Sequence, residues 1–270
     1  MKIRLLLIDL TDCLYQQWHL AGKPENIDDE FVHNLSSRLL KFSQDLQPTH
    51  IMPVADAPTS WRENFIKNYK FHGNTIPFPI YKSLGRVEKQ LTELGWSKVI
   101  RKKDTEAVDI IWKILESTNK SESIRRKVIS SDKRLLKWAG PITTLEPYWV
   151  RYETGRNRDE HWIEFKYGVK PKQINDFLAL AGNQSIGLKG VPGIGPKIAS
   201  DLLNSYDSIE GIIDNLDNIK GKIADNIRTK ENLFIERDLN IGKDGVDLNM
   251  SMKDIKVSLN NNDQEGITYI

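Results

Sequence analysis

Carboxylates follow three apolar segments of this chain, near the point where each segment ends. The segments are Ile3–Ile8, His50–Val54 and Lys127–Ser130, and the carboxylates that follow them are Asp9, Asp56 and Asp132. In open α/β sheets, ligands bind beyond the carboxyl ends of the strands, so these side chains would meet at one rim. A further pair, Glu106 and Asp109, would share one face at the start of a helix, because the two residues are three positions apart.

Oxygen ligands without a cysteine or histidine partner favour Mg²⁺ or Mn²⁺. Such ions act on phosphates by polarising the phosphoryl oxygen and activating a water. Together the five carboxylates therefore predict a divalent-metal site for phosphate chemistry. Taken singly, Asp9 or Asp132 could be a loop or capping residue, and Glu106 and Asp109 could simply interact with the helix dipole.

A dense turn lies between two helical patterns in the second half of the chain, Pro171–Ala181 and Lys197–Asn204. The turn, Gly190–Lys197, has three glycines and two prolines in eight residues; glycine permits positive φ and a close approach of a ligand to the backbone. The next helix would present free N–H groups beside Lys197, which suits a phosphate. This helix–hairpin–helix pattern is typical of nucleic-acid backbone binding, and an ordinary αα-hairpin is the structural alternative.

Strand-like and helical segments alternate in the first part of the chain. Helical patterns cover Asp28–Leu46, part of Phe78–Leu94 and Glu106–Leu115, and another begins at Leu135–Trp138. This alternation predicts an α/β layer fold with a mainly parallel sheet. From Trp162 the pattern becomes largely helical. We therefore expect an α/β domain over residues 1–162, a helical domain over 163–240 and a polar, loosely packed tail over 241–270.

Composition limits the class of protein. The chain has 270 residues, of which 39% are hydrophobic, and a formal net charge of +2, so any positive field must be local. The single cysteine, Cys13, excludes a disulfide framework and a cysteine-based zinc cluster and favours a reduced, cytoplasmic setting. No early apolar run is long enough for a signal-peptide core or a membrane span. Without a sustained heptad pattern, we expect a monomer.

In their order and spacing these residues resemble the 5′ nucleases, which include flap endonucleases, bacteriophage 5′–3′ exonucleases and the 5′-nuclease domain of bacterial DNA polymerase I. The resemblance covers residues 3–240. The acidic motifs are Leu7-Ile8-Asp9, Asp56 with Trp61-Arg62 and Tyr69-Lys70, Glu106-Ala107-Val108-Asp109, and Ile129–Lys133. The hairpin motifs are Tyr167-Gly168-Val169, Leu180-Ala181-Gly182 and Val191–Lys197. The pattern is most similar to the exonuclease IX and polymerase I group.

The resemblance implies a PIN-like α/β domain with a helical arch near residues 62–104, followed by a helix–three-turn–helix domain. It implies hydrolysis of phosphodiesters at 5′ ends or flaps of DNA with Mg²⁺ or Mn²⁺. The implied metal ligands are Asp9, Asp56, Glu106, Asp109 and Asp132. The implied DNA-binding residues are Arg62, Tyr69, Lys70, Arg134, Gly193, Gly195 and Lys197. The implied K⁺ ligands are the backbone carbonyls of Leu180, Ala181, Lys189, Val191 and Ile194.

Four positions depart from the acidic pattern of that family. The family's carboxylates are replaced by Val108, Arg134, Asn183 and Ile186. Nearly all of these belong to the second metal site, which is therefore depleted. We hypothesise that the Arg134 guanidinium partly replaces the second ion by holding a phosphate oxygen; a salt bridge to Glu106 or Asp109 is the alternative.

These departures leave a second function open, in which a relative that has lost catalysis binds branched DNA without cutting. An RNA–DNA hybrid is a further possible substrate for the same chemistry. A surface position for Arg62, and an amphipathic surface helix for Tyr69 and Lys70, are the structural alternatives to contact with DNA. An unrelated metal-dependent phosphatase would leave the Gly190–Lys197 turn unexplained.

Overall fold

The computed structural model describes residues 2–66, 69, 77–148, 157–219 and 221–257. Its centre is a parallel sheet in the order β2-β1-β3-β4, formed by β1 (Ile3–Asp9), β2 (His50–Val54), β3 (Ile124–Ile129) and β4 (Thr143–Glu146). The expected α/β fold is confirmed. β3 begins three residues before the predicted segment, and β4, of four residues, was not predicted.

In the part of the chain that the structure describes, four helices flank this sheet. They are α1 (Leu10–Leu20), α2 (Asp29–Leu46), α3 (Phe78–Glu93) and α4 (Ala107–Thr118). Side chains of β1 alternate between its two faces. Leu6 and Ile8 pack in one core with α1, α2 and α3, whereas Leu5 and Leu7 pack in a second core with α4. Burial on both faces explains why β1 has an almost continuous apolar sequence.

The second part of the chain is helical, as expected. Its helices are α5 (Glu160–Tyr167), α6 (Ile174–Ala181), α7 (Pro196–Tyr206), α8 (Ile209–Asp214), α9 (Lys222–Arg228) and α10 (Leu233–Leu239). Apolar residues of these helices, such as Phe177 and Leu203, belong to the same buried core as α4. Among the described residues we find no helix with the length and apolar character that a membrane span requires.

Two short 3₁₀ segments carry the arginines of interest. Trp61–Asn64 contains Arg62, and Lys133–Trp138 contains Arg134. The second segment lies where the sequence predicted the start of an α-helix. The predicted arch includes residues 67, 68 and 70–76, so the expectation for Lys70 lies outside the described residues.

The segment 242–257 packs against the first domain, so the expected loose tail is wrong for these residues. Val246 and Ile255 are buried. A Cβ at Gly242 would lie 2.3 Å from Cγ of Trp112, which shows how closely the backbone approaches that ring. The N–H of Val257 donates to the carbonyl of Thr49 at 3.1 Å, next to β2. Scattered apolar residues anchor this segment despite its polar composition.

Candidate active-site cleft

A cleft of about 400 Å³ lies at the carboxyl ends of the parallel strands. Five carboxylates line it, and they are Asp9, Asp12, Asp56, Glu106 and Asp132. Lys133 and Arg134 supply positive charge, and Val108 and Ile186 are among its apolar lining residues. The structure therefore brings together four of the five predicted acidic residues and adds Asp12, at the edge where α/β sheets bind ligands.

Asp9 occupies the junction between β1 and α1. Its Oδ1 accepts the N–H of Asp12 at 3.0 Å, which caps α1, and its Oδ2 accepts the hydroxyl of Ser130 at 2.9 Å. Burial, and then the nearby carboxylates of Asp12 and Asp56, raise the pKa of Asp9 well above its usual range. Asp9 therefore caps α1 and also lines the cleft. The two interpretations from the sequence, a capping residue and a metal-site residue, do not exclude each other.

Asp12 was missed by the sequence analysis. It lies in the first turn of α1, where its Oδ2 accepts the N–H of Ser131 at 2.8 Å and an N–H of Gln16 at 2.7 Å. Burial raises its pKa, although these hydrogen bonds oppose the shift. The signal was present, because Asp9 is a helix N-cap followed by apolar residues at helical spacing, which would have placed Asp12 on the same rim.

Asp56 lies after β2, beside the start of α4. Its Oδ1 accepts the N–H of Ala107 at 2.8 Å, and its own N–H donates to Oγ1 of Thr11 at 2.8 Å. The residue is buried yet lines the cleft. Two elements from distant parts of the sequence therefore fix this carboxylate against the rim.

Asp132 and Arg134 form a compact ion pair. Arg134 Nε lies 3.0 Å from each carboxylate oxygen of Asp132, and Nη2 lies 2.6 Å from Oδ2. Burial opposes ionisation of both groups. The guanidinium nevertheless lowers the pKa of Asp132, and the carboxylates of Asp132 and Glu106 raise the pKa of Arg134 well above its usual value. Both groups are therefore charged at neutral pH.

Glu106 is surrounded by donors. Its Oε1 accepts from Ser60 Oγ at 2.6 Å, Tyr69 Oη at 2.7 Å and Arg62 Nη1 at 3.2 Å. Its Oε2 accepts from Arg134 Nη2 at 2.9 Å. Arg62 and Arg134 therefore balance the negative charge of this carboxylate within the protein. Glu106 holds both arginines in place and also lines the cleft.

Arg62 and Asp109 lie outside the cleft. Asp109 Oδ1 accepts from Arg62 Nη2 at 2.8 Å and from the N–H of Lys243 at 2.9 Å. Neither side chain is exposed. Tyr69 is also buried, and its hydroxyl donates to Glu106. The structure gives Arg62 and Tyr69 internal partners in place of the predicted contact with DNA, and it gives Asp109 an ion pair in place of a metal.

The carboxylate lining of the cleft supplies the kind of oxygen ligand that a divalent cation takes. Within the described ranges, no three Asp, Glu, His or Cys side chains form a ready metal-binding group. Mg²⁺ needs only one or two carboxylates, because it keeps several waters and binds substrate phosphates. Asp9, Asp12 and Asp56 offer only oxygen donors, and repulsion among them contributes to the raised pKa of Asp9. On the other side of the cleft, Arg134 already neutralises the carboxylates.

The hairpin connects α6 to α7 through a tight backbone turn. The N–H of Val191 donates to the carbonyl of Leu180 at 2.8 Å, and the N–H of Ile194 donates to that of Val191 at 3.0 Å. Gly182 and Gly190 have positive φ angles, and a Cβ at Gly182 would lie 2.8 Å from the carbonyl oxygen of Lys189. Only glycine at these positions allows the backbone before the turn and the backbone after it to approach so closely.

The outer face of this hairpin is exposed at the residues predicted to bind DNA, which are Gly193, Gly195 and Lys197. Lys197 follows Pro196 in the first turn of α7, and its side chain is 87% exposed. The first backbone N–H groups of a helix are not used within the helix, so this end attracts anions. The geometry agrees with a surface for a phosphate backbone.

Two of the departures from the acidic pattern have structural roles in the hairpin. Asn183 is buried, and its Nδ2 donates to Oδ1 of Asn240 at 2.8 Å. Ile186 is buried with Leu188, Leu239 and Tyr69 and also lines the cleft. At the two positions where the family pattern has carboxylates, Asn183 thus forms a side-chain hydrogen bond and Ile186 packs against apolar residues.

The fold, the acidic cleft and the hairpin define a class of nuclease-like proteins. A family model described as 5′-3′ exonuclease, N-terminal resolvase-like domain, matches residues 4–168, and one described as 5′-3′ exonuclease, C-terminal SAM fold, matches residues 169–263. The chain belongs to the 5′–3′ exonuclease family.

Curated relatives agree with this assignment, and solved structures share the fold. The flap endonuclease Xni of Vibrio vulnificus (strain CMCP6) is 26% identical over 268 residues, covering 96% of this chain and 99% of that protein. Its counterpart in Vibrio campbellii is 30% identical over 214 residues, covering 78% and 79%. T5 5′-exonuclease with bound zinc ions has a TM-score of 0.72 at 16% identity, covering 87% of each chain. The catalytic core of Rad2 in complex with DNA has a TM-score of 0.60 at 14% identity, covering 96% of this chain and 83% of that one.

Proposed function

We propose that this protein is a structure-specific 5′ nuclease that hydrolyses phosphodiesters at 5′ ends or flaps of DNA with Mg²⁺ or Mn²⁺. The observation that carries the proposal is the meeting of Asp9, Asp12 and Asp56 in one cleft at the carboxyl ends of the strands. Oxygen donors in such a cleft suit a divalent metal, and the relatives named flap endonuclease extend over nearly the whole chain.

The hairpin gives the proposed enzyme its hold on duplex DNA. Gly193, Gly195 and Lys197 present an exposed helix N-terminus and a cation, which bind a phosphate backbone without reading its sequence. The backbone of the turn approaches itself closely at Gly182 and Gly190. Our predicted ligands for K⁺ remain the backbone carbonyls of Leu180, Ala181, Lys189, Val191 and Ile194. We further propose that the protein acts as a cytoplasmic monomer.

The divalent ion would be held by Asp9 and Asp56, with Asp12 and Asp132 beside them. When bound, it would polarise the phosphoryl oxygen and activate a water. The protein itself orients these carboxylates through Ser130, Ser131 and Ala107. Glu106 and Asp109 contribute through their arginine partners, since their oxygens are hydrogen-bonded within the protein. A second ion would find few donors, because Val108 and Ile186 line the cleft with apolar groups.

A single-turnover cleavage assay tests the proposal. The substrate is a 5′-labelled flap on a nicked DNA duplex with Mg²⁺ or Mn²⁺ and K⁺, and a matched RNA–DNA hybrid tests the second substrate class. We expect cleavage by the wild type and its loss in Asp56→Asn. Asp104→Asn is the matched control, because this carboxylate lies on the loop before α4 and is not part of the cleft lining. Equal cleavage by both variants would contradict the assigned site.

The apolar lining at Val108 and Ile186 favours one second candidate, a protein that binds branched DNA without cutting. Both functions require affinity for branched DNA, but only the nuclease cleaves it. Binding should therefore be followed in the same system with Ca²⁺ in place of the active metal. Tight, salt-dependent binding of the flap without cleavage under any of these metals would select the binding function and reject the nuclease.

A further inference from the structure

The cleft is divided into two electrostatically different halves. On one side, the carboxylates of Asp9, Asp12 and Asp56 line the cleft together. On the other side, Asp132 and Glu106 both pair with Arg134. The second half therefore contains a cation that belongs to the protein and is paired directly with both of its carboxylates.

We propose that Arg134 is a permanent cation of the active site, which binds a non-bridging oxygen of the scissile phosphate and keeps a second divalent ion out. This inference rests on the proposed nuclease function. It explains how the nuclease could work with a single metal ion. It concerns binding and positioning of the phosphate, so no additional reactant is required.

The position of Arg134 is fixed by its surroundings. Its backbone N–H donates to Asp132 Oδ1 at 2.9 Å, which caps the 3₁₀ segment Lys133–Trp138. The next two residues, Leu135 and Leu136, have no exposed surface. A side chain that starts from such a segment loses little conformational entropy on binding a ligand, since the protein has already ordered it.

The hydrogen bonds of the guanidinium leave one edge suited to a phosphate. Nε and Nη2 are directed to Asp132 and Glu106, as described above. Nη1 makes a long contact, 3.4 Å, to the hydroxyl of Tyr69. A guanidinium has five N–H donors in a planar fork, and it binds phosphate oxygens well in that geometry. Arg134 lines the cleft with a side chain that is only 3% exposed, and the phosphate contact falls to Nη1, whose contact with Tyr69 is the longest of those given above.

A second divalent ion would meet three obstacles on this side of the cleft. The guanidinium repels it, and arginine does not lose its proton in proteins. The oxygens of Asp132 and Glu106 already accept charge-assisted hydrogen bonds. Val108, which is 2% exposed and lines the cleft, has no donor atom. Both the charge and the ligand set therefore exclude the ion.

Metal stoichiometry provides the first test, and it does not depend on cleavage. Mn²⁺ is titrated into the metal-free protein in the absence of DNA, and binding is followed by calorimetry and by electron paramagnetic resonance. We expect one ion in the wild type and two in Val108→Asp/Arg134→Asp, which replaces the apolar group and the cation by carboxylates. Two ions in the wild type would overturn the inference, and so would one ion in the double variant if that variant is folded by circular dichroism.

The salt dependence of flap binding in Ca²⁺ provides the second test. If Arg134 contacts a phosphate, Arg134→Gln should weaken affinity by about tenfold and reduce the slope of log affinity against log salt by about one. Arg125→Gln is the matched control, because Arg125 is an exposed residue near the opposite end of β3. Arg134→Lys, which keeps the charge, should retain the wild-type slope. A slope and affinity unchanged in Arg134→Gln would overturn the inference.

The two proposals fail in different ways. A wild-type protein that cuts flaps while binding two Mn²⁺ ions would overturn the role of Arg134 and leave the nuclease function intact. A protein that binds one Mn²⁺ ion and never cuts would overturn the nuclease function. If Arg134→Gln does not fold, the Mn²⁺ stoichiometry of the wild type still tests whether the second ion is excluded.

Discussion

Arg62 Nη2 lies 2.8 Å from Asp109 Oδ1, and neither side chain is exposed to solvent. The same guanidinium donates to the carbonyl of Leu239 at 2.8 Å and to that of Ile241 at 2.7 Å. Arg62 therefore ties the segment after β2 to α4 and to the end of α10. This one side chain joins the acidic domain to the helical domain that carries the hairpin.

Replacing Arg62 by Met should destabilise the protein strongly. The change leaves Asp109 and Glu106 buried without this partner, and breaking a buried ion pair from one side costs about 3–5 kcal/mol. The free energy of unfolding, measured by denaturant titration with circular dichroism, should fall by that amount. Arg228→Met is the control, because Arg228 is partly exposed and paired with exposed Asp217, so its loss should cost about 1 kcal/mol or less. Equal losses in the two variants would contradict the assigned role.

Replacing Asp9 by Asn should stabilise the metal-free protein while abolishing cleavage. Because the pKa of Asp9 is raised in the folded state, its ionisation opposes folding at neutral pH. The variant should therefore be more stable than the wild type at pH 7. The gain should begin to shrink as the pH falls through the raised pKa, and it should vanish near the pKa of an unfolded aspartate, about 3.9, below which the carboxyl is neutral in both states. Thermal unfolding in a chelator at several pH values measures it.

Asp254→Asn supplies a control of opposite sign for this experiment. Hydrogen bonds from the backbone and side chain of Ser251 lower the pKa of the exposed Asp254 carboxyl. Ionisation of Asp254 therefore favours folding, and its loss should not stabilise the protein at pH 7. A gain in both variants would show that charge removal in general, and not the environment of Asp9, is responsible.

The strand ends were accessible to sequence analysis because they depend on local pattern. Short apolar runs bounded by polar residues identified β1, β2 and much of β3, and hence the rim where Asp9, Asp56 and Asp132 lie. β4 was not predicted because its four residues, Thr143–Glu146, are too few to show a periodic pattern. Local pattern thus predicted the fold and the place of the cleft.

The ion pairs could not be predicted in the same way, because their partners are distant in sequence. Arg62 and Leu239 are 177 positions apart, and Arg62 and Asp109 are 47 positions apart. Nothing near Arg62 in the sequence indicates that it will bind the start of α4 and the end of α10. The hypothesis for Arg134 left a phosphate contact and a salt bridge as alternatives. The structure contains the salt bridge to Glu106, and the phosphate contact stays a prediction.

Restoring a carboxylate in the hairpin should cost stability without adding a metal. In Asn183→Asp, an acceptor replaces the Nδ2 donor that lies 2.8 Å from Asn240 Oδ1, inside the protein. Leaving buried acceptors face to face should cost about 1–3 kcal/mol. Asn218→Asp, at an exposed site, should change stability by about 0.5 kcal/mol or less. Chemical denaturation gives the cost, and Mn²⁺ titration should show no added ion; an added ion would contradict this prediction.

Adding a methyl group at Gly190 should impair DNA binding through the hairpin. The new Cβ would lie 2.4 Å from the backbone N of Gly182 and 2.6 Å from the carbonyl oxygen of Leu180, and neither can move without opening the turn. Flap affinity in Ca²⁺ should fall by about tenfold, which corresponds to about 1.4 kcal/mol. Gly22→Ala is the matched control, because Gly22 also has a positive φ but no heavy atom near its Cβ position. Similar affinities of the two variants would contradict the prediction.

The packing of segment 242–257 bears on how the protein behaves at high concentration. β2 is the outermost strand on its side of the sheet, and an open strand edge invites pairing with a strand from another molecule. Lys256 forms an antiparallel bridge with His50, and Val257 bonds to Thr49 at the beginning of that edge. The returning chain therefore shields part of the edge, and its lysines discourage intermolecular β-pairing. Truncation before residue 242 would uncover the His50 end of this edge, while Ile100 still pairs with Val54 at the other end, and would make the protein more prone to aggregate.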